Sequence, residues 1–397
     1  MGMRVGRRGR DRARWLVPPR LRTEAGEGEE RRATWLELFF DLVFVVAITQ
    51  LAHELVLDHS TAGFLRFGGL FVPVYVAWQG YMAYADRFDT DDLAFRLAYF
   101  AAMLAIAAMA ILIDDVGHGL RSSGFAVAYV VLRSIMLALY GRAWRSVPQA
   151  RPLIRFYAPG YGIGVAIWLA SLAVDAPLRY VMWGIALVLD LSLPPLSPRM
   201  VRPRVPTSGS HLPERWALFT MIVFGESIVA VALATSGTDW RLESAAAAVL
   251  GFTAVAGTWW LYFDRQASVV LRSSTRIAVI YSYAHLPLLM GLAATSAGLR
   301  LLIERAGEDH LGPGPSVAFV GGIVVFLLSL VATRSVTVTG PRRVGISLKL
   351  GTAAILLVLF ATEAAFSPVA LAGAVAFVLS AMVFAERTLF PPSEPHS

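Results

Sequence analysis

Three observations predict an all-α polytopic integral membrane protein. Of 397 residues, 56% are hydrophobic and only 16% are charged, whereas soluble domains carry about 25% charged residues. Apolar runs long enough to cross a bilayer, about 20 residues each, recur from residue 36 to residue 386. The basic residues fall mostly between those runs, as they do in topology-determining loops. The net charge of +7 therefore points to membrane orientation, and no nucleic-acid partner is expected.

The runs lie at 36–57, 65–85, 95–113, 124–141, 155–173, 178–195, 216–235, 244–263, 276–298, 316–333, 345–364 and 368–386. They predict about twelve transmembrane helices. With the N-terminus cytoplasmic, the inner segments hold 28 Lys and Arg and the outer loops 6, while Arg133 lies inside span four. That asymmetry predicts that both termini are cytoplasmic.

Residues 1–34 hold ten arginines and five acids and lack the apolar core of a signal peptide. They read as a disordered basic cytoplasmic tail able to touch anionic lipid, or simply as a topogenic anchor. A first six-helix half follows at 35–196, then a Pro/Arg-rich cytoplasmic linker at 197–215. The second half spans 216–387 and a short cytoplasmic tail 388–397. The chain has no cysteine and a single lysine, Lys349. Disulfides, thiolate metal sites and cysteine nucleophiles are thereby excluded.

The halves resemble each other. LFFDLVFVVAI at 38–48 lies 180 residues before LFTMIVFGESI at 218–228, with five identities. Tyr84-Ala-Asp-Arg87 at the end of span two recurs as Tyr262-Phe-Asp-Arg265 at the end of span eight. Arg96-Leu-Ala opening span three recurs as Arg276-Ile-Ala opening span nine. An even number of helices per unit makes the two repeats parallel, related by an axis along the membrane normal.

Acids inside a bilayer are costly and usually face the bundle interior. Glu37 and Asp41 open span one at i, i+4 spacing, on one helical face. Deeper in the chain's spans lie Arg133, Glu226 and His285, with Asp190 near the end of span six. These suggest a transport or buried polar site at Glu37, Asp41, Arg133, Glu226 and His285. The plainer expectation for Arg133 is a salt bridge with Asp41 or Glu226. His285, two residues before Pro287, could instead satisfy a carbonyl that the proline frees.

A second polar cluster is expected at the cytoplasmic face, from Asp86, Arg87, Asp89, Asp91, Asp92, His211, Glu214, Arg215, Asp264 and Arg265. The DRFDTDD run at 86–92 reads as a solvated turn with helix-capping aspartates, or as a site for a divalent metal or diphosphate. The chain has no P-loop, dinucleotide glycine fingerprint or HExxH motif. No cofactor is predicted, and Mg²⁺ belongs only to the diphosphate alternative.

Several blocks resemble the bacterial low-temperature-requirement A (LtrA) family. ELFFDLVFVVAITQ at 37–50 is similar to its opening signature. RFDTDD at 87–92, HLPERWALF at 211–219, FGESI at 224–228, WLYFD at 260–264 and YSYAHLP at 281–287 are similar to further family blocks. Ala85 and Ala217 depart from the usual residues without losing a charge. The resemblance implies a multi-pass bacterial membrane protein, with no settled substrate and no catalytic residues to carry over.

The leading expectation is an ion- or proton-coupled secondary transporter or channel of the bacterial cytoplasmic membrane, handling a small solute or ion. The alternatives are a membrane-embedded enzyme acting on a lipid or prenyl diphosphate through the Asp-rich loop, and a non-catalytic membrane scaffold. As an enzyme the chain is the weaker reading.

Overall fold

The computed structural model describes residues 17–21, 34–117, 119–197, 211–238, 241–266, 275–337 and 342–389. Twelve long helices follow one another: α1 Trp35–Leu57, α2 Thr61–Arg87, α3 Leu93–Gly117, α4 Ser122–Ser146, α5 Arg151–Ala170 and α6 Leu178–Leu196 form the first six. The second six are α7 His211–Ser236, α8 Leu242–Gln266, α9 Thr275–Glu304, α10 Pro313–Val336, α11 Arg342–Ala361 and α12 Pro368–Leu389. A π-helical turn at Val317–Gly321 lies within α10. All the helices but α6 are long and apolar enough to span a membrane, eleven among the described residues. The 19-residue α6 falls short because it carries Arg179, Asp190, Pro194 and Pro195.

Helical segments satisfy their own backbone groups, which is what hydrocarbon demands. The outer faces are correspondingly greasy: Leu104 and Ile111 on α3 and Phe377 and Phe384 on α12 are exposed. This is a multi-pass membrane protein that sits in a lipid bilayer.

In the first half α1 packs on α2 and α3, α3 on α4, α4 on α5, α5 on α6, and α6 on α2. In the second half α7 packs on α8 and α9, α9 on α10, α10 on α11, α11 on α12, and α12 on α8. The halves meet chiefly where α1 lies against α7 and α9, with smaller contacts of α2 and α6 on α9. Helix α9 is the central post, with 78% of its apolar window buried against 28% for α11. Its backbone touches that of α10 directly: a Cβ at Gly291 would stand 2.6 Å from the Gly322 carbonyl oxygen.

Two helix starts correct the sequence expectation. Residues 211–215 belong to α7 rather than to the linker, so Arg215 sits inside a helix. Residues 198–210 of that linker lie outside the described residues. Thr34 and Glu37 form a capping box, Thr34 Oγ1 accepting from the Glu37 amide at 3.3 Å and Glu37 Oε2 from the Thr34 amide at 2.9 Å. Glu37 is thus a helix-capping group in the first turn of α1.

Part of the expected disordered tail is ordered. Strand β1, Arg20–Leu21, pairs antiparallel with β2, Phe88–Asp89. Next to it the Val17 amide donates to Asp92 Oδ2 at 2.8 Å, and Arg142 on α4 donates to both the Val17 carbonyl and the Asp92 carboxylate. Residues 17–21 therefore strap the 88–92 turn to α4. Residues 1–16 and 22–33 lie outside the described residues.

The strap carries a pH prediction. Burial pushes the Asp92 carboxyl up, but hydrogen bonds from Arg142 and from the Phe95 and Val17 amides outweigh it and hold it below its ordinary value. A lowered carboxyl stabilises above its unfolded pKa of about 3.9 and loses that contribution as pH falls through the folded value. The protection factors for hydrogen exchange at residues 17–21 should therefore be unchanged between pH 8 and 5, whereas Asp92→Asn should lower them at pH 7. Unaltered protection in that variant would show that the latch lies elsewhere.

Candidate functional site

The first polar centre joins the halves. One turn after Glu37, α1 presents Asp41 on the same face, and α7 brings Arg215 to meet both. Arg215 Nη2 donates to Asp41 Oδ1 at 2.7 Å, and its Nη1 lies 3.5 Å from Glu37 Oε2. Trp78 on α2 adds an indole N–H to Asp41 Oδ1 at 2.8 Å. All four side chains are buried. Trp78 stacks on Phe219 at 4.1 Å and meets Trp216 edge-on at 4.5 Å, walling the charges in.

The second centre is a closed chain around His285. Its Nδ1 lies 2.7 Å from the Tyr281 carbonyl, so that nitrogen carries the proton and donates. Its Nε2 then accepts from Tyr262 at 3.0 Å, and Tyr262 in turn accepts from Thr220 at 3.3 Å. Both ring nitrogens are used by a neutral imidazole, which stacks on Trp216 at 4.5 Å. The bonded carbonyl is four residues upstream of His285 itself. The carbonyl that Pro287 frees is instead that of Tyr283, so the expected repair of the proline kink is corrected.

Glu226 forms a third, separate centre. It accepts from Thr49 on α1 at 2.5 Å, and its neighbour Ser227 bonds Ser296 on α9 at 2.7 Å. Eleven residues of helix place it about 16 Å along α7 from Arg215. Glu37 and Asp41 therefore share one cluster, and Glu226 does not join it.

A cavity lies elsewhere, between α2, α4, α5 and α6, with α7 and α9 closing one side. It holds about 80 Å³, room for several water molecules. Arg133 and Asp190 line it as an ion pair at 2.9 Å, each side chain 2% exposed. This corrects the expected partner of Arg133, which is Asp190 on α6 rather than Asp41 or Glu226. The Arg133 guanidinium also lies over the Tyr161 ring at 4.5 Å. Asp86 and Arg87 at the end of α2, with Tyr140 and Tyr157, complete the polar lining.

Two glycines leave room for the pair. A Cβ at Gly80 would come within 3.1 Å of Arg133 Nη1, and one at Gly164 within 3.1 Å of Asp190 Oδ1. Backbone approaches the charged atoms because no side chain intervenes.

The remaining members of the expected cytoplasmic cluster are not one site. Asp91 pairs with Arg96 at 2.7 and 2.8 Å, and those hydrogen bonds hold its carboxyl below the ordinary value. Asp92 caps α3 by accepting from the Phe95 amide at 3.0 Å and pairs with Arg142. Asp264 pairs with Arg387 at 3.2 Å. Glu214 lies in the first turn of α7. The side chains of Asp89, His211 and Arg265 lie outside the described residues. Among the described residues, no three His, Asp or Glu side chains are grouped to hold a metal ion.

The family model described as bacterial low temperature requirement A protein (LtrA) matches residues 32–384. The chain belongs to the LtrA family. It is also 30% identical over 323 residues to an uncharacterized protein of Rhizobium meliloti (strain 1021), an alignment covering 75% of this chain and 76% of the relative.

Within this LtrA-family chain, the sequence offered Asp86, Arg87, Arg133 and Asp190 separately, but not their grouping on one cavity or the tyrosines beside them. Tyr157 and Tyr161 stand at i, i+4, a spacing that could have marked an inward polar face of α5. Asp190 was visible as an acid in a short apolar run. A further buried cluster was also missed, where Glu386 on α12 meets Arg334 on α10 and Lys349 on α11. The single lysine of the chain, set in an apolar run, was its signal.

Proposed function

We propose that this LtrA-family protein is an ion- or proton-coupled secondary transporter or channel of the bacterial cytoplasmic membrane, with both termini inside. The observation that carries the reading is the buried Arg133–Asp190 pair on the wall of an 80 Å³ cavity inside the helical bundle. Arginine and aspartate at such depth are expensive, and they mark ion or substrate pathways in membrane proteins. A chamber with charged walls fits a carrier that exposes its site alternately to each side.

The matching helix pairings of the two halves support a duplicated, parallel six-helix architecture. So do the buried acids of their sixth helices: Asp190 pairs with an arginine of α4, and Glu386 with an arginine of α10. The chamber is nevertheless built mainly from the first half, with α7 and α9 as its outer wall. One specialised pathway follows from that asymmetry rather than two equivalent ones.

Reconstituted into proteoliposomes, the protein should carry a flux driven by a pH gradient. Asp190→Asn and Asp86→Asn should each lower it at least about tenfold, an effect of 1.4 kcal/mol or more on the limiting step. Glu226→Gln, remote from the chamber, should spare it. Wild-type flux in both aspartate variants would defeat the coupling reading.

A further inference from the structure

The lining of the chamber indicates what enters it. Arg87 and Arg133 are two cations with spare donors. Arg87 Nη1 is bonded to the Ala83 carbonyl of its own helix at 2.9 Å and the guanidinium also donates to the Tyr140 hydroxyl, but its Nε is buried with no hydrogen-bond partner. Arg133 makes one ion pair, a long 3.7 Å contact to the Met136 sulfur and a ring contact, leaving most of its fork without an oxygen. Tyr140, Tyr157 and Tyr161 add hydroxyls around the same space. Against these donors stand two carboxylates, one of them already facing Arg133.

We infer that the chamber binds a small oxyanion, a carboxylate or phosphate-class ion, between the guanidiniums of Arg87 and Arg133, and that a proton enters with it. Planar guanidinium forks match the paired oxygens of such ions, and tyrosine hydroxyls can donate to the remaining oxygens. The proton follows from charge balance. Asp86, Asp190, Arg87 and Arg133 sum to zero, so an added anion leaves one uncompensated negative charge in a low-dielectric site.

A proton on Asp86 or Asp190 restores neutrality. Facing those two aspartates are Arg87 from α2, Tyr129, Arg133 and Tyr140 from α4, Tyr157 and Tyr161 from α5, and Tyr283 from α9. Arginine and tyrosine keep their protons near neutral pH. The two carboxylates are therefore the acceptors in this chamber. The inference deepens the transport reading and rests on it for passage of the ion, but not for binding.

The test is calorimetric titration of the detergent-purified full chain with acetate, with inorganic phosphate, and with short-chain dihexanoyl phosphatidic acid, in chloride buffer. Saturable binding of acetate or phosphate that is stronger than that of the lipid would assign the site to a free ion. A preference for phosphatidic acid would overturn that assignment in favour of a headgroup. Arg87→Gln should weaken the favoured ligand about tenfold, the loss of one charge-assisted hydrogen bond. Tyr157→Phe, which removes a hydroxyl without opening a cavity, should weaken it about threefold.

The affinity for acetate, which stays ionised throughout this range, should also rise about tenfold for each unit of falling pH between 8 and 6, the signature of one proton taken up per anion. A pH-independent affinity would overturn the proton. No saturable binding to the wild type, or unchanged affinity in both variants, would overturn the site. Binding without flux would refute transport and keep the site, whereas pH-driven flux indifferent to these ions would do the reverse.

Discussion

Arg215→Gln is expected to cost about 3–5 kcal/mol of stability, the usual result of removing one partner from a buried ion cluster. The substitution removes the guanidinium that faces both buried acids, Asp41 and Glu37. The Trp78 indole offers Asp41 one neutral hydrogen bond, too little to replace a guanidinium. Asp41→Asn should cost less, because Arg215 still has Glu37 at 3.5 Å. Combining the two changes should recover part of the loss, giving a coupling energy well above that of unconnected sites. Apparent melting temperatures of the four proteins in detergent measure the cycle. An Arg215→Gln variant as stable as the wild type would mean that this cluster does not tie the halves together.

Gly298→Ala should be at least as damaging, through sterics alone. A Cβ there would overlap the backbone nitrogen of Phe319 and stand 2.6 Å from its Cα. Overfilling a packed core commonly costs 1–3 kcal/mol, and side-chain rotation provides the usual relief. Here the obstacle is main chain, so α9 and α10 must separate along their contact. Gly69→Ala is the control, since nothing lies within 4 Å of its Cβ position. Alanine favours helix over glycine by about 1 kcal/mol, so that variant should be neutral or slightly stabilised. Equal melting temperatures for the two variants would contradict the close approach.

The helices were legible because each span announces itself locally. Length, apolarity and arginine placement are properties of contiguous residues, and eleven of the twelve runs form helices that meet the requirements of a span. Partner choice was less legible. Asp41 and Arg215 lie 174 residues apart, and only the docking of α7 on α1 brings them together. Arg133 offered several plausible acids, and the rotation of α6 against α4 selected Asp190. The Thr34-x-x-Glu37 spacing was a local signal of a capping box, overshadowed by the reading of Glu37 as a bilayer acid. The chamber was least visible because it is made by tyrosines, whose hydroxyls do not stand out in an apolar count.

The glycine contact between α9 and α10 has a mechanical meaning. Helices that touch through their peptide planes have no side chains between them to repack, so the pair should behave as a single stiff rod. Any motion that opens the chamber is then expected to swing around that rod. Helix α5, with a third of its apolar window buried, and its neighbour α6 form a lightly held leaf along the chamber. Labels on α5 and α9, introduced as cysteines into a chain that has none of its own, would read that swing as a change in distance. Labels on α9 and α10 should keep their spacing throughout.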